Sequence, residues 1–222
     1  MSMQPFTTLD AIAAPYFVAN IDTDKLIPHK FLRKPLSAGY RHYLFYDQRF
    51  AEDGSEITDF VLNREPFKHA GVLVSGRNFG CGSTREGAIY ALQDFGIRCV
   101  IAPGFGDIFY ANCLQNGLLP IVLDDADVER ISVLLAAQPG AHVRVDLPAQ
   151  TVTAPDGTQL RFEIDARRKE QLLKGLDDIG ITQQYAQAID QFEARYRNER
   201  PWLFREQPEL VNRRAARAEG VK

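Results

Sequence analysis

The alternation of apolar runs with helical periodicity over residues 71–123 most constrains the fold of this chain. Short apolar runs at 72–74, 99–102 and 118–123 are typical of buried strands. Residues 83–94 and 106–116 have helical spacing between these runs, and a glycine, Gly96 or Gly117, follows each predicted helix. Strand, helix, strand, helix, strand predicts a parallel α/β unit with right-handed crossovers.

The remaining segments add an antiparallel part to this parallel unit. Strands are predicted at 150–154 and 159–164, and the tetrapeptide Pro-Asp-Gly-Thr between them is a β-turn signature. The other predicted elements are, in chain order, an extended segment over 11–28 that ends in a polar turn at 20–24, ordered loops with short helices over 29–70, a helix over 124–138, a strand over 143–146, and helices over 166–174 and 179–195. The predicted fold class is therefore mixed α/β, with parallel core strands, an antiparallel hairpin and C-terminal helices.

Composition excludes several classes of protein. With 222 residues, of which 45% are hydrophobic and 25% charged, the chain is typical of one globular domain with appendages. A net charge of −3 does not favour a nucleic-acid-binding or membrane-surface protein. The sequence has neither the ~20 apolar residues of a membrane span nor a signal peptide, so we expect a cytoplasmic protein. The three cysteines have no C-x-x-C spacing, so no metal site or cofactor is predicted on this chain.

The glycine-rich motif at 80–86, Gly-Cys-Gly-Ser-Thr-Arg-Glu, carries the clearest chemical signal. Ser83 and Glu86 have capping-box spacing, which predicts Ser83 as the N-cap of the following helix. Glycine backbone at a helix N-terminus favours anions, and Arg85 adds a planar fork suited to a carboxylate. No lysine follows Gly82, and Arg85 occupies the place of a third glycine, so both nucleotide-binding patterns fail.

Two interpretations of this motif remain open. In the functional one, the motif binds a small di- or tricarboxylate, and Ser83, whose alkoxide is stabilised by the helix end and Arg85, takes a proton from carbon. In the structural one, Ser83 only caps a helix after a tight turn. A second polar motif, Asn-Ile-Asp-Thr-Asp-Lys at 20–25, offers Asp22 and Asp24 to orient an arginine or forms a solvated turn. It lacks calcium-loop spacing.

Several motifs in one order resemble the small subunit of bacterial 3-isopropylmalate dehydratase, a member of the aconitase superfamily. The similar stretches are Asn-Ile-Asp-Thr-Asp at 20–24, Asn-Phe-Gly-Cys-Gly-Ser at 78–83, Val-Ile-Ala-Pro at 100–103, Asp-Ile-Phe-Tyr at 107–110, Asn-Gly-Leu-Leu-Pro at 116–120 and Gly-Leu-Asp-Asp-Ile-Gly at 175–180. The resemblance is collinear from about Phe6 to about Trp202. It implies an aconitase-type swivelling β/β/α domain over residues 1–202. The resemblance ends there, and residues 203–222 form a basic tail that we expect to be flexible.

The resemblance also implies roles for individual residues. Ser83 matches the catalytic base, and Arg85 matches the arginine that binds a substrate carboxylate. Substrate-binding positions are also implied at Thr84, Gly82, Asp22 and Asp24, with no choice between the two aspartates. By family position, residues 28–40 form the loop that senses the substrate side chain, with Phe31, Leu32 and Leu36 as its specificity residues.

The reaction implied is the interconversion of 2-isopropylmalate and 3-isopropylmalate, through isopropylmaleate, in leucine biosynthesis. A 4Fe-4S cluster is expected on a separate large subunit, so this chain alone is expected to be inactive. The family usually reads Ser-Ser-Arg-Glu-His, whereas this chain has Thr84 and Gly87. Two alternatives therefore remain: the small subunit of a sister hydratase for another 2-alkylmalate or methylated maleate, and a non-catalytic partner of the large subunit.

Overall fold

The computed structural model describes residues 3–31, 33–35, 39–83 and 85–204. The chain divides into a unit over Met1–Asp178 and a unit over Ile179–Lys222. The described residues of the first unit form seven strands: β1 (Thr8–Tyr16), β2 (Val72–Ser75), β3 (Cys99–Ala102), β4 (Leu119–Val122), β5 (His142–Asp146), β6 (Thr151–Thr153) and β7 (Gln159–Arg161). Its helices are α1 (Thr23–Leu26), α2 (Tyr46–Arg49), α3 (Gly87–Phe95), α4 (Asp107–Asn116), α5 (Asp125–Ala137) and α6 (Ala166–Lys174).

All seven strands form one sheet in the order β4-β3-β2-β1-β5-β6-β7. Strands β1 to β4 are parallel, and β5, β6 and β7 are antiparallel to their neighbours. The predicted mixed α/β class, with a parallel core, an antiparallel hairpin and C-terminal helices, is confirmed.

Alternate residues of the parallel strands face two separate cores. In β2, Val72 and Val74 pack in one core with α5, whereas Leu73 packs in the other with Leu92 and Phe95 of α3. Helices therefore cover both faces of the parallel half, which explains why every residue of β2 and β3 is buried.

In the long stretch between β1 and β2, aromatic side chains order the residues that the structure describes, as predicted. Phe45, Phe60 and Phe67 are buried in the core that also holds α3. The only charged side chain buried there among the described residues, Arg49, donates from Nε to Asn63 Oδ1 at 2.9 Å and from Nη1 to two backbone carbonyls. Its guanidinium is thus satisfied internally.

Outside the glycine-rich motif, two predictions of secondary structure were wrong. Residues 11–28 are not extended throughout, because Asp22 accepts a hydrogen bond from the Lys25 backbone at 2.7 Å and caps the short helix α1. The predicted helix over 179–195 is two helices, α7 (Asp178–Gln183) and α8 (Ala186–Glu199). Backbone bonds of the tighter i→i−3 type at Gln184 and Tyr185 end α7.

The second unit contains α8 and a 3-10 turn at Pro201–Phe204. Most of the predicted basic tail, residues 205–222, lies outside the described residues. Within the described part of the chain, no helix combines the length and the apolar composition needed to cross a bilayer.

Candidate active site at the carboxyl edge of the parallel strands

The two polar motifs, about 60 residues apart in sequence, lie side by side at this edge of the sheet. Asp22 and Cys81 form an isolated parallel β-bridge. The Gly80 backbone N–H donates to the Ile21 carbonyl at 2.7 Å, and the Thr23 N–H donates to the Cys81 carbonyl at 3.0 Å. These backbone contacts fix the side chains of the two motifs relative to one another.

Ser83 is held by this pairing and not by a helix cap. Its hydroxyl lies 2.8 Å from the Thr23 hydroxyl, and its backbone N–H donates to Thr23 Oγ1 at 3.3 Å. The predicted capping box is wrong: α3 begins at Gly87, and the residue at its N-cap is Glu86. Thr23, from the motif at 20–25, takes the place of Glu86 as the partner of Ser83, because the backbone pairing of the two motifs already holds Thr23 beside Ser83.

The Glu86 carboxylate has a different partner from the one predicted. It accepts a hydrogen bond from the Tyr90 hydroxyl at 2.8 Å, one helical turn further on. Burial of the phenol, followed by this hydrogen bond, raises the pKa of Tyr90 to about 12. Tyr90 is therefore a neutral hydrogen-bond donor throughout the physiological pH range.

Arg85 forms an ion pair with Asp24. The guanidinium side chain is 21% exposed and the carboxylate side chain 58% exposed, so the pair reaches solvent from its acidic end. Asp22, in contrast, uses its carboxylate to cap α1. The two aspartates that the sequence could not distinguish thus have separate partners, and only Asp24 contacts Arg85 in this structure.

A cavity of about 300 Å³ adjoins Ser83. Its walls are the glycine-rich loop and the first residues of α4, including Asp107 and Ile108. Gly106 caps α4 and has no side chain with which to satisfy the first N–H groups of that helix. The positive end of the α4 dipole therefore lies at the cavity wall, with the Asp107 carboxylate in the same turn.

The glycines of the loop are required by close packing as well as by backbone angles. Gly80 and Gly82 have φ values of 71° and 100°, as the predicted tight turn requires. A Cβ built on Gly80 would lie 2.2 Å from the Phe109 ring. The N–H of Gly80 is used by the Ile21 carbonyl, so this donor does not face the cavity as the glycine-rich pattern predicted.

The three cysteines differ in their surroundings. Cys81 lines the cavity and is partly exposed, whereas Cys99 and Cys113 are fully buried and burial raises the pKa of both thiols. No group of three His, Cys, Asp or Glu side chains in the described residues is placed to hold a metal ion.

The predicted specificity residues are only partly described. Phe31 stacks on Tyr43 with 4.2 Å between ring centroids and packs against the core. Leu32, Leu36 and Thr84 lie outside the described residues.

Gly87, where the resemblance expects histidine, lies beside a tyrosine. A Cβ on Gly87 would lie 3.4 Å from Tyr40 Cε1, and the Tyr40 hydroxyl donates to the Lys34 carbonyl at 2.8 Å. A side chain at position 87 would therefore begin in van der Waals contact with Tyr40 and Ile27.

Thr23 is the residue of this site that sequence reasoning did not single out. Its side chain is buried, with 1% exposure, and it provides both contacts to Ser83. No local pattern identifies it, because its partner lies 60 residues away.

Comparison with known proteins identifies the family. The family model described as the aconitase C-terminal domain matches residues 3–126, over half of the chain. Two further models match later segments: LeuD_N matches residues 133–166, and the C-terminal domain of the 3-isopropylmalate dehydratase small subunit matches residues 178–206. A 3-isopropylmalate dehydratase small subunit from Phenylobacterium zucineum is 55% identical over 202 residues, covering 90% of this chain and 98% of the relative.

The chain belongs to the family of 3-isopropylmalate dehydratase small subunits. Another small subunit of this family, from Jannaschia, is 52% identical over 201 residues. The alignment covers 90% of this chain and all of that relative. The crystal structure of 3-isopropylmalate dehydratase (LeuD) from Methanocaldococcus jannaschii matches with a TM-score of 0.61 and 25% identity, covering 83% of this chain and 99% of that one. The resemblance to this family and the aconitase-type fold are thereby confirmed.

Proposed function

We propose that this chain is the small subunit of a two-subunit, cytoplasmic hydro-lyase that interconverts 2-isopropylmalate and 3-isopropylmalate, through isopropylmaleate, in leucine biosynthesis. The observation that carries the proposal is the Ser83 hydroxyl at a cavity wall, fixed by Thr23, with Arg85 two residues further on. This arrangement, in a chain about 50% identical to named small subunits, has the base and the carboxylate ligand that such a reaction needs.

Ser83 acts as the base in this proposal. The ionised hydroxyl takes a proton from a substrate carbon, the electrons of that C–H bond form the C=C bond, and the hydroxyl group leaves from the adjacent carbon. Hydration reverses these steps, with Ser83 returning the proton. The positive end of α4 at the same cavity favours an ionised oxygen there.

Arg85 binds a carboxylate of the substrate in this proposal. Its ion pair with Asp24 is accessible from solvent on the acidic side, so a second carboxylate can share the guanidinium, which has five donors. Gly82 and Thr84, on either side of Ser83, complete the carboxylate site, and Asp22 keeps the facing segment in place. Phe31, Leu32 and Leu36 contact the substrate side chain.

The iron–sulfur cluster belongs to a large subunit in this proposal. The donor set of this chain does not suit a 4Fe-4S cluster, since two of its three cysteines are fully buried and Cys81 has no metal-binding partners among the described residues. When bound on the large subunit, the cluster supplies Lewis-acid chemistry at the leaving hydroxyl. Base and metal then come from different chains.

Anaerobic reconstitution tests this function. The purified chain alone is expected to show no dehydratase activity and no bound iron, and activity is expected after addition of the cognate large subunit loaded with its cluster. A panel of isopropylmalate, citramalate and dimethylmalate tests the substrate, since this chain has Gly87 where the family usually has histidine. Activity of the chain alone would contradict the two-subunit account, and a preference for citramalate or dimethylmalate would identify a sister hydratase.

Replacement of the proposed base tests its role. Ser83→Ala is expected to assemble with the large subunit and to lower kcat by about 10²–10⁴-fold, the usual contribution of a general base. Ser55→Ala, the same change at an exposed serine, is the control and should leave kcat unchanged. Near-normal turnover in Ser83→Ala would contradict the assignment.

A further inference from the structure

We infer that Thr23 is a positioning residue for this reaction, which donates a hydrogen bond to the Ser83 oxygen and stabilises its ionised form. The inference rests on the proposed function, because it assigns the support of the proposed base. Thr23 Oγ1 lies 2.8 Å from Ser83 Oγ, within the usual range for a hydrogen bond between two hydroxyls.

The direction of this hydrogen bond follows from the inventory of donors. The Ser83 backbone N–H donates to Thr23 Oγ1 at 3.3 Å, so the threonine oxygen already accepts one hydrogen bond. An ionised serine has no proton to donate, whereas the threonine hydroxyl keeps its single proton. In the reactive state, therefore, Thr23 is the donor and Ser83 the acceptor.

The surroundings of Thr23 hold its hydroxyl in position to donate to Ser83. Its side chain is 1% exposed, so water does not compete for the hydroxyl. Its backbone N–H donates to the Cys81 carbonyl at 3.0 Å, and its carbonyl accepts from the Ile27 N–H at 3.0 Å. The hydroxyl is thus fixed between α1 and the glycine-rich loop, with no rearrangement required when charge develops on Ser83.

Hydrogen bonds to an ionised oxygen are about twice as strong as those between neutral groups. Thr23 therefore favours the ionised form of Ser83 more than the neutral form and lowers the pKa of the serine hydroxyl. Loss of this donor affects the rate of proton transfer and leaves the carboxylate site around Arg85 intact.

Thr23→Val, which replaces the hydroxyl by a methyl group of similar size, tests the inference in the complex with the large subunit. We expect kcat to fall by about 10- to 100-fold and KM for isopropylmalate to stay within about twofold. Because the ionised base loses a donor, the acid limb of the kcat profile should move to higher pH. Thr23→Ser should restore most of the rate, and Thr58→Val, at an exposed threonine, should change neither.

Three outcomes would overturn the inference. They are an unchanged kcat in folded Thr23→Val, a raised KM with an unshifted pH profile, and a failure of Thr23→Ser to restore the rate. If Thr23→Val does not fold, Thr23→Ala replaces it, since a smaller side chain cannot clash.

The double variant separates this inference from the proposed function: in a Ser83→Ala background, Thr23→Val should cause no further loss. Full activity of Ser83→Ala would contradict the proposed function itself, whereas loss in Ser83→Ala without loss in Thr23→Val would contradict only the role of Thr23.

Discussion

Strand β1 separates two halves of one sheet that are built differently. Its second half pairs in parallel with β2, and its first half pairs antiparallel with β5. On the parallel side, β2 and β3 are completely buried between helices. On the antiparallel side, β5 alternates, with Val143 and Val145 buried and Arg144 exposed.

This difference explains where the candidate site lies. Parallel strands need long crossovers, and the crossover from β2 to β3 begins with the glycine-rich loop that holds Ser83. Antiparallel neighbours are joined by short turns, such as the one around Gly157 between β6 and β7. The backbone groups of this turn form hydrogen bonds with one another. The parallel half of the sheet, with its longer connections, therefore has the loops in which catalytic groups can be held.

Alanine at one glycine in each half compares the two connections most sharply. Gly80→Ala is expected to destabilise the chain by about 3–5 kcal/mol, because its φ of 71° is strained for alanine and its Cβ would overlap the Phe109 ring. Gly157 has a similar φ of 84° but open space around it, so Gly157→Ala should cost only about 1–2 kcal/mol. Urea denaturation measures both; equal losses would mean that packing at Gly80 is unimportant.

A hydroxyl placed in one strand of each half compares their burial. Val100→Thr puts a polar group in fully buried β3 and should cost about 1–3 kcal/mol. Arg144→Thr, on the exposed face of β5, should change stability by less than about 0.5 kcal/mol. Thermal unfolding at pH 7 distinguishes the two, and a larger loss in Arg144→Thr would show that the exposed face of β5 is covered in solution.

The smallest expected effect concerns a carboxylate in the β6–β7 turn. Hydrogen bonds from the Thr158 backbone and side chain, with Arg130 nearby, hold the pKa of Asp156 below its ordinary value. A lowered carboxyl pKa stabilises the fold above the unfolded-state pKa of about 4, and this stabilisation is lost as the pH falls through the folded-state pKa. Asp156→Asn should therefore lower the urea midpoint slightly at pH 7 and leave it nearly unchanged near pH 2. A loss that is equal at both pH values would assign the effect to turn geometry.

Local sequence patterns were enough to predict most elements of the fold and the chemical groups of the site. Helix α6 spans the predicted residues, and Gly96 and Gly117 end α3 and α4 as predicted. These features depend on periodicity and on backbone angles that only nearby residues control. The same holds for the turn at 155–158, which joins β6 to β7.

Tertiary structure decided which of these groups meet. The capping-box pattern predicted Glu86 as the partner of Ser83, but the partner is Thr23, brought there by backbone pairing between segments about 60 residues apart. The ion pair of Asp24 with Arg85 arises in the same way, since these residues are 61 positions apart in sequence, whereas Asp22 caps α1 through a local contact with the Lys25 backbone. Local patterns cannot encode the contacts of Thr23 with Ser83 and of Asp24 with Arg85, since the pairing of Asp22 with Cys81, beyond the ends of β1 and β2, decides which groups are within reach.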